Sequence, residues 1–347
     1  MSNISQIDRN FAVKTSLDID GIRFYDIEEE VFSLHGVTFE NGVYRRLPEK
    51  VASDVNEGVY NLHIHTAGGR IRFVTDSSFV AIKAVMHEIG KMPHFALTGS
   101  AGFDLYVDEE YYNSFVPPYD VTDGYECAIH FGDKSQRDIT INFPLYSGVS
   151  ALYIGLDETA GLKKSSEYKH KKPIVFYGSS ITQGGCASRP GNSYESVISR
   201  ALQTDYINLG FSGSARGEDA IAQYIASLDM SVFVYDYDYN APTVEHLQNT
   251  HQRMFKTIRE KNPELPVVIL SRPKFSLTEE ENKRLSVIRK TYTDAVLSGD
   301  KNVYFIEGTE LMKYAENDGT VDGCHPNDLG FYSMAKVLIP ELKNLIK

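Results

Sequence analysis

Three short segments of this chain carry side chains that could work together in one hydrolytic active site. Residues 177–182, with the sequence Tyr-Gly-Ser-Ser-Ile-Thr, offer a hydroxyl nucleophile, and residues 238–240 offer a side-chain amide donor. Residues 322–326, Asp-Gly-Cys-His-Pro, place a carboxylate and an imidazole three residues apart. A serine hydroxyl needs a base to remove its proton, and an imidazole does this near neutral pH. The segments therefore predict hydrolysis through a serine nucleophile.

Each candidate residue suits one role in that chemistry. Ser180 is expected to attack, His325 to take the serine proton, and Asp322 to accept the other ring N–H of His325. The tetrahedral intermediate also needs hydrogen-bond donors for its oxyanion. The backbone N–H groups of Ser180 and Gly213 and the side-chain amide of Asn240 are expected to supply these donors.

The second half of the chain has the strand–helix alternation that such a site requires. Compact apolar runs predict five buried parallel strands at residues 174–177, 206–209, 232–236, 267–270 and 303–306. Helical patterns lie between them, and Asn192, with Glu195 three residues later, predicts the cap of one helix. This alternation predicts an α/β domain with a doubly wound, flavodoxin-like parallel sheet.

The candidate residues all lie beyond the ends of these predicted strands. Ser180, Gly213 and Asn240 follow the first, second and third strands, and His325 lies beyond the fifth. Because ligand groups gather outside the carboxyl ends of parallel strands, we expect the four residues to meet at one edge of the sheet.

The first half of the chain predicts a β domain instead. Short runs rich in β-branched and aromatic residues predict strands at residues 59–65, 70–75, 79–86, 94–97, 104–107, 126–131, 138–143 and 151–155. Gly68 and Gly69 predict a hairpin turn between the first two strands. Many short strands indicate an antiparallel, jelly-roll-like sandwich. A polar link at residues 165–173 separates the predicted domains, 1–165 and 173–347.

Composition excludes several classes of function. The net charge of −12 argues against nucleic acid or an anionic membrane as a partner. No apolar run reaches the ~18–20 residues of a membrane span. The first ten residues lack the pattern of a signal peptide, so a cytoplasmic location is expected. The three cysteines have no disulfide-type or metal-type spacing, and there is no phosphate-binding or dinucleotide-binding motif. We therefore expect no metal and no organic cofactor, while a homo-oligomer is left open.

Residues 173–347 resemble the SGNH (GDSL-type) hydrolase family, which is named for Ser, Gly, Asn and His in four blocks. The resemblance implies that Ser180 is the nucleophile and that Gly213 and Asn240 belong to the second and third blocks. It matches Asp322 and His325 to the Asp-x-x-His of the last block. Two positions depart from the family pattern: Ser179 replaces an aspartate before the nucleophile, and Asp238 replaces a glycine before Asn240. Residues 181–182, Ile-Thr, favour Ser180 over Ser179 as the nucleophile.

The first half carries a second resemblance. Residues 102–106, Gly-Phe-Asp-Leu-Tyr, resemble the Gly-x-Asp-Leu-Tyr signature of a β-rich domain that precedes some SGNH hydrolases. Such two-domain proteins are mostly bacterial esterases, and some relatives act on acetylated carbohydrate. The resemblance implies ester hydrolysis.

The expected function is hydrolysis of a short acyl ester through an acyl-enzyme, and the favoured substrate is an O-acetyl group on a sugar or oligosaccharide. Two alternatives stay open. The first is a lipid or thioester acylhydrolase, and the second is an inactive protein whose β domain binds carbohydrate. Other polar residues are expected to have structural roles: His63, His65, Cys186, Cys324, Arg189, Arg216 and Arg272. The acidic residues 279–281 are expected to form a solvated helix start.

Overall fold

The computed structural model describes residues 13–346, and the first part of this range is built on antiparallel strands. These strands are β1 (Ile22–Asp26), β2 (Ser33–His35), β3 (Thr38–Glu40), β4 (Val43–Arg45), β5 (Arg70–Thr75), β6 (Phe79–Glu88), β7 (Phe103–Val107), β8 (Glu110–Phe115), β9 (Gly124–His130), β10 (Arg137–Asn142), β11 (Gly148–Asp157) and β12 (Leu162–Lys164). One sheet has the order β1-β11-β6-β9 and the other the order β12-β5-β10-β7-β8, with β2 also on β5.

Alternating burial along the strands explains why these two sheets pack together. Along β10, Ile139 and Ile141 are fully buried, whereas Asp138 and Thr140 are partly exposed. Apolar side chains from both sheets meet in one core that includes Ile82 and Leu152 from the other sheet. A period of two with one apolar face is the pattern of a strand that covers a core. The predicted N-terminal β-sandwich is confirmed.

The second part of the chain alternates strands and helices. Its strands are β13 (His170–Gly178), β14 (Thr204–Gly210), β15 (Val232–Asp236), β16 (Val267–Leu270) and β17 (Val303–Ile306). Its helices are α4 (Ser180–Gln183), α5 (Tyr194–Leu202), α6 (Asp219–Ser227), α7 (Val244–Lys261), α8 (Glu279–Leu297), α9 (Gly308–Leu311) and α10 (Asp328–Leu345), after α1 (Glu49–Val55), α2 (Glu57–Leu62) and α3 (Leu97–Ser100) in the first part. All five strands are parallel, in the order β14-β13-β15-β16-β17.

Helices cover both faces of this parallel sheet. From β13, Val175 and Tyr177 face a core formed with α6, α7 and α8, whereas Ile174 and Phe176 face a core formed with α5, α9 and α10. Strands buried on both sides read as continuous apolar runs, which is why the sequence located them. The five-stranded, doubly wound, flavodoxin-like prediction is confirmed.

Some predicted elements of the first part are wrong. Residues 59–65 do not form a strand, because Asn56 caps α2 through Val59 N and the chain is helical to Leu62. In the predicted strand 94–97, residues 94–96 form a loop and Leu97 begins α3. Gly68, with φ of +81°, lies in a turn before β5 and packs against Tyr206 and Asn208, so no hairpin forms there.

Two other sequence predictions also fail in detail. Asn192 lies in a 3-10 turn, Pro190–Asn192, and it is Ser193 that caps α5 by accepting from Ser196 N. The acidic helix start is confirmed at Glu279, but Glu281 is buried and ion-paired rather than solvated. A glutamate at the third position after a helix cap is favoured because its carboxylate can accept from the backbone of the cap. At Glu281 this carboxylate is also buried, and a cationic side chain balances its charge.

The two parts of the chain share a polar interface at Arg46. Its guanidinium donates to the carbonyl of His65 at 2.6 Å and to the carbonyl of Gly210, at the end of β14, also at 2.6 Å. Burial lowers the pKa of Arg46 to about 9. Neutral carbonyls therefore hold a buried cation between the β-sandwich and the parallel sheet.

The predicted domain limits, at residues 165 and 173, stay a prediction, although β13 begins at His170 inside the predicted link. Within residues 13–346, no helix is both long and apolar enough to cross a membrane. The amino-terminal segment that was read for a signal peptide lies outside the described residues.

Candidate active site

The turn after β13 presents Ser180 at the carboxyl edge of the sheet. Ser179 caps α4 by accepting a hydrogen bond from Ile181 N at 3.2 Å, and it is fully buried. Ser180 is the first residue of α4, so its N–H has no acceptor within the helix. Ser179 therefore has a structural partner, while the Ser180 hydroxyl and N–H face the edge of the sheet.

Ser180, His325 and Asp322 form a continuous chain of hydrogen bonds. Ser180 Oγ lies 2.9 Å from His325 Nε2, and His325 Nδ1 lies 2.8 Å from Asp322 Oδ2. If Nδ1 donates to the carboxylate, Nε2 is left as the acceptor for the serine proton. Ser180 and His325 are 145 positions apart in the sequence, and the sheet brings their two segments together.

Local hydrogen bonds hold Asp322 in its ionised form. Its Oδ1 accepts from the backbone N–H groups of Cys324 at 3.0 Å and His325 at 2.8 Å. Burial opposes ionisation, but these bonds and that from the His325 ring outweigh it, lowering the pKa of Asp322 to about 2. The same carboxylate thus shapes the loop and orients the imidazole.

The other two predicted residues lie in neighbouring loops. Gly213, with φ of +68°, follows β14, and open space lies where a Cβ would project. Asn240 ends a 3-10 turn, Asp238–Asn240, after β15, and its Nδ2 donates to the carbonyl of Phe211 at 2.9 Å. That bond uses one of two amide hydrogens and joins the third loop to the second. Both residues lie at the predicted edge, and their oxyanion role stays a prediction.

Buried ion pairs explain one departure from the family pattern. Asp238 is buried and accepts from Arg272 Nε at 2.7 Å and Nη2 at 3.0 Å, as well as from Arg284 Nη1 at 3.2 Å. A bidentate guanidinium–carboxylate pair has fixed geometry. Asp238 therefore anchors the turn that carries Asn240, and Arg272 has the structural role predicted for it.

The β-sandwich also reaches this site, which the sequence did not predict. Tyr146 donates its hydroxyl hydrogen to the carbonyl of Ser180 at 3.1 Å. The ring of His94, in the loop after β6, lies 5.6 Å from the ring of His325 between centroids. Gln183 of α4 binds Ser212 N at 3.0 Å and the His65 ring at 3.2 Å, which joins the loop after β14 to the sandwich. No spacing in the sequence indicates these contacts.

The Gly-x-Asp-Leu-Tyr signature has a visible structural role. Asp104 is fully buried, and its Oδ2 accepts from Gly191 N at 2.8 Å and from Arg189 Nη1 at 3.1 Å. Its Oδ1 accepts from Asn142 at 2.7 Å, and Tyr106 contacts the same segment by donating to the carbonyl of Gly191. The signature holds the segment that follows the nucleophile turn. A charged residue inside an apolar strand was the available sequence signal.

The remaining polar candidates have structural partners. His63 contacts the carbonyl of Tyr60, and His65 lies 3.1 Å from Glu88, so each ring has a structural partner. Arg216, which is exposed, contacts the carbonyl of Gly213. A cavity of about 840 Å³ lies between α7 and α8, but none of the predicted site residues lines it. Cavity volume therefore does not locate the candidate site.

Comparison with protein families agrees with this architecture. Residues 171–343 match the GDSL-like lipase/acylhydrolase family, and residues 22–162 match the N-terminus of SGNH-hydrolase-type esterases. The chain belongs to the GDSL-like (SGNH) hydrolases, which act on carboxylic esters. Within that family it is of the two-domain type with an N-terminal Gly-x-Asp-Leu-Tyr domain. No curated protein sequence matches the chain.

Solved structures share the complete two-domain fold. A protein described as a GDSL-like lipase from Bacteroides ovatus is 26% identical, with a TM-score of 0.84 over 94% of this chain and 99% of that one. A salicylyl-acyltransferase from a tetracycline biosynthetic pathway is 19% identical, with a TM-score of 0.76 over 94% and 98%. A family two carbohydrate esterase from Clostridium thermocellum, in complex with cellohexaose, is 14% identical, with a TM-score of 0.59 over 81% and 93%.

Proposed function

We propose that this protein is a serine esterase that removes short acyl groups, chiefly O-acetyl groups, from a carbohydrate. The observation that carries the proposal is the hydrogen-bond chain from Ser180 through His325 to Asp322, with heavy-atom distances of 2.9 and 2.8 Å. Its three members have the residue types and the order of contacts that nucleophilic acyl transfer needs. It requires no metal and no organic cofactor.

The reaction proceeds in two halves. Ser180 Oγ attacks the ester carbonyl carbon while its proton passes to His325 Nε2, and Asp322 stabilises the imidazolium. The oxyanion accepts hydrogen bonds from Ser180 N–H, Gly213 N–H and the amide of Asn240. The C–O bond to the alcohol breaks, and that oxygen takes the proton from His325. Water then attacks the acyl-enzyme with His325 as base, which releases the acid and restores Ser180.

The nature of the substrate is supported by the comparisons and by charge. The carbohydrate esterase with bound cellohexaose shares the two-domain fold, which favours a carbohydrate as the alcohol portion. The net charge of −12 favours a neutral substrate over an acidic one. The similar acyltransferase makes transfer to another alcohol the second candidate, since that alcohol would replace water in the second half-reaction.

Two measurements test the substrate. Hydrolysis of p-nitrophenyl esters from acetate to octanoate should be fastest with the shortest chains, and acetylated oligosaccharides should release acetate. A maximum at octanoate would instead favour a lipid acylhydrolase. Formation of new esters with added alcohols, at the expense of acetate release, would favour an acyltransferase.

A pair of adjacent serines tests the nucleophile. Ser180→Ala should abolish turnover and covalent labelling by an organophosphonate ester. Ser179→Ala is the matched control, because it removes only the cap of α4, at a cost of about 1 kcal/mol of stability, and should still form an acyl-enzyme. Undiminished hydrolysis by Ser180→Ala would refute the proposal, and loss of labelling in Ser179→Ala alone would shift the nucleophile by one residue. If Ser180→Ala and wild type were equally inactive, a carbohydrate-binding protein would be favoured.

A further inference from the structure

Three side chains with metal-ligating atoms converge beside the proposed nucleophile. One ligand atom from each of His94, Cys186 and His325 lies within 4.8 Å of the other two. The residues come from the loop after β6, the turn after α4 and the loop before α10. Because the three segments are distant from one another in the sequence, no motif in the sequence indicates this cluster.

The geometry lies close to that of a zinc site. Imidazole nitrogen and thiolate sulfur bind Zn²⁺ at about 2.0–2.3 Å, so tetrahedral ligand atoms stand about 3.3–3.8 Å apart. The cluster must therefore contract by about 1 Å. His94 is exposed, so its side chain can make that movement without disturbing a packed core.

His325 is already oriented as a metal ligand. Its Nδ1 is 2.8 Å from Asp322 Oδ2, so when Nδ1 carries the proton the Nε2 lone pair, which otherwise accepts from the Ser180 hydroxyl at 2.9 Å, is the one that a metal would take. A carboxylate behind the imidazole is the arrangement that fixes and strengthens histidine ligands in zinc sites. The feature that makes His325 a base thus also makes it a ligand.

Cys186 has an unusual backbone for a residue with a side chain. Its φ is +76°, in the left-handed region that favours glycine, and its side chain is buried at the cluster. Such a conformation persists only where the surroundings impose it, and it often marks functional sites. Burial, together with the nearby Asp322 and Cys324, raises the pKa of the Cys186 thiol to about 12. Without metal the thiol is therefore protonated, and it makes no competing ion pair.

We propose that His94, Cys186 and His325 bind Zn²⁺, with water as the fourth ligand, and that the bound metal inhibits the enzyme. The Cys186 S–H bond breaks, its proton goes to solvent, and the sulfur–zinc bond forms with no change of oxidation state. The Nε2 lone pair of His325 then binds zinc and can no longer accept the proton of Ser180. Metal binding stands by itself, whereas the inhibition rests on the proposed function.

Zinc binding and inhibition are measured separately on chelator-treated protein. Equilibrium dialysis with Zn²⁺ should give one site, and inhibition of p-nitrophenyl acetate hydrolysis should follow occupancy and be reversed by a chelator. One released proton makes affinity rise about tenfold for each pH unit between about pH 7 and 8.5. Ser180→Ala should bind Zn²⁺ as wild type does, so zinc binding can be measured in a variant that has lost hydrolysis.

Variants identify the ligands. His94→Ala and Cys186→Ser should each weaken zinc binding and inhibition at least about tenfold while retaining hydrolysis. Cys127→Ser, in β9 of the sandwich, is the matched control and should change neither. With Co²⁺ as probe, a thiolate-to-metal charge-transfer band should appear in wild type and Cys127→Ser but not in Cys186→Ser.

Several results would overturn the proposal. These are no binding with Zn²⁺ in excess over protein, equal binding in His94→Ala and wild type, or loss of binding in Cys324→Ser but not in Cys186→Ser. Zinc bound without inhibition would refute the inhibitory role alone. Hydrolysis that persists in Ser180→Ala would refute the proposed nucleophile and leave zinc binding intact.

Discussion

Asp104, in β7 of the sandwich, accepts a hydrogen bond from Arg189 Nη1 at 3.1 Å across the boundary between the two sheet systems. Asp104 is fully buried, and the Arg189 side chain is 19% exposed. The same carboxylate accepts from Gly191 N and Asn142. The segment beyond the nucleophile turn is therefore anchored by the β domain, which makes that domain a structural part of the candidate active site.

Removing this carboxylate should destabilise the protein strongly. Asp104→Ala leaves a half-buried guanidinium, a buried backbone N–H and a buried amide without this acceptor, and we expect a loss of about 3–5 kcal/mol in the free energy of unfolding. Urea unfolding measures it. Asp120→Ala, at an exposed position, is the control and should lie close to wild type. Equal unfolding midpoints for the two variants would contradict the anchoring role.

Asn240→Ala should lower kcat by about 10²–10³ with little change in KM, because an oxyanion donor acts mainly in the transition state. Steady-state kinetics with p-nitrophenyl acetate test this. The exposed Asn113→Ala is a control for the loss of an amide. A variant that raised KM and kept kcat would show that Asn240 binds the ground state instead.

Asp322→Asn should lower kcat by about 10³–10⁴, because a carboxamide neither stabilises the imidazolium nor enforces the same ring tautomer. Since the pKa of Asp322 is about 2, its carboxylate stays ionised throughout the range in which activity is measured. The kcat values of Asp322→Asn and of wild type, measured at neutral pH, test this prediction. Less than a tenfold difference would mean that another group orients His325.

The dependence of kcat/KM on pH should report the base. An imidazole that acts as base has to be unprotonated to accept the Ser180 proton, whereas Asp322 stays ionised above about pH 4, so activity should be lost on acidification from about pH 8 to 5. A profile measured with p-nitrophenyl acetate should therefore fall toward acid. A flat profile over that interval would argue against His325 as the base.

Stability should depend on pH through Asp236, at the end of β15. Burial and the neighbouring Asp238 raise the pKa of Asp236 to about 7. Between about pH 4 and 7 the folded protein holds a proton that the unfolded chain has lost. The contribution of Asp236 to the free energy of unfolding therefore falls by about 1.4 kcal/mol per pH unit as pH rises, and this contribution levels off above about pH 7.

Asp236→Asn removes that ionisation, so the variant should gain stability relative to wild type as pH rises from about 4 to 7. Urea unfolding of both proteins at several pH values measures the gap. Asp120→Asn, which is exposed, should show no such trend. A gap that stays constant with pH would mean that Asp236 is already ionised in the folded protein.

The sequence by itself determined the class of fold and where chemistry could occur. Buried parallel strands appear as apolar runs, and the carboxyl ends of such strands share one edge, so Ser180 and His325 could be paired across 145 positions. The structure joins them by a hydrogen bond, and their catalytic roles stay predictions. Departures from the family pattern at Ser179 and Asp238 were visible, but their capping and ion-pair partners were not.

Only the tertiary structure decided what the β domain does at the site. Residues 59–65 were predicted as a strand although the chain is helical from residue 57 to 62, because a short apolar run has no period long enough to separate the two. The contacts of Asp104 with Arg189 and of His94 with His325 join segments far apart in the chain. Such pairings leave no local periodicity, since they depend on how the β-sandwich and the parallel sheet pack against each other.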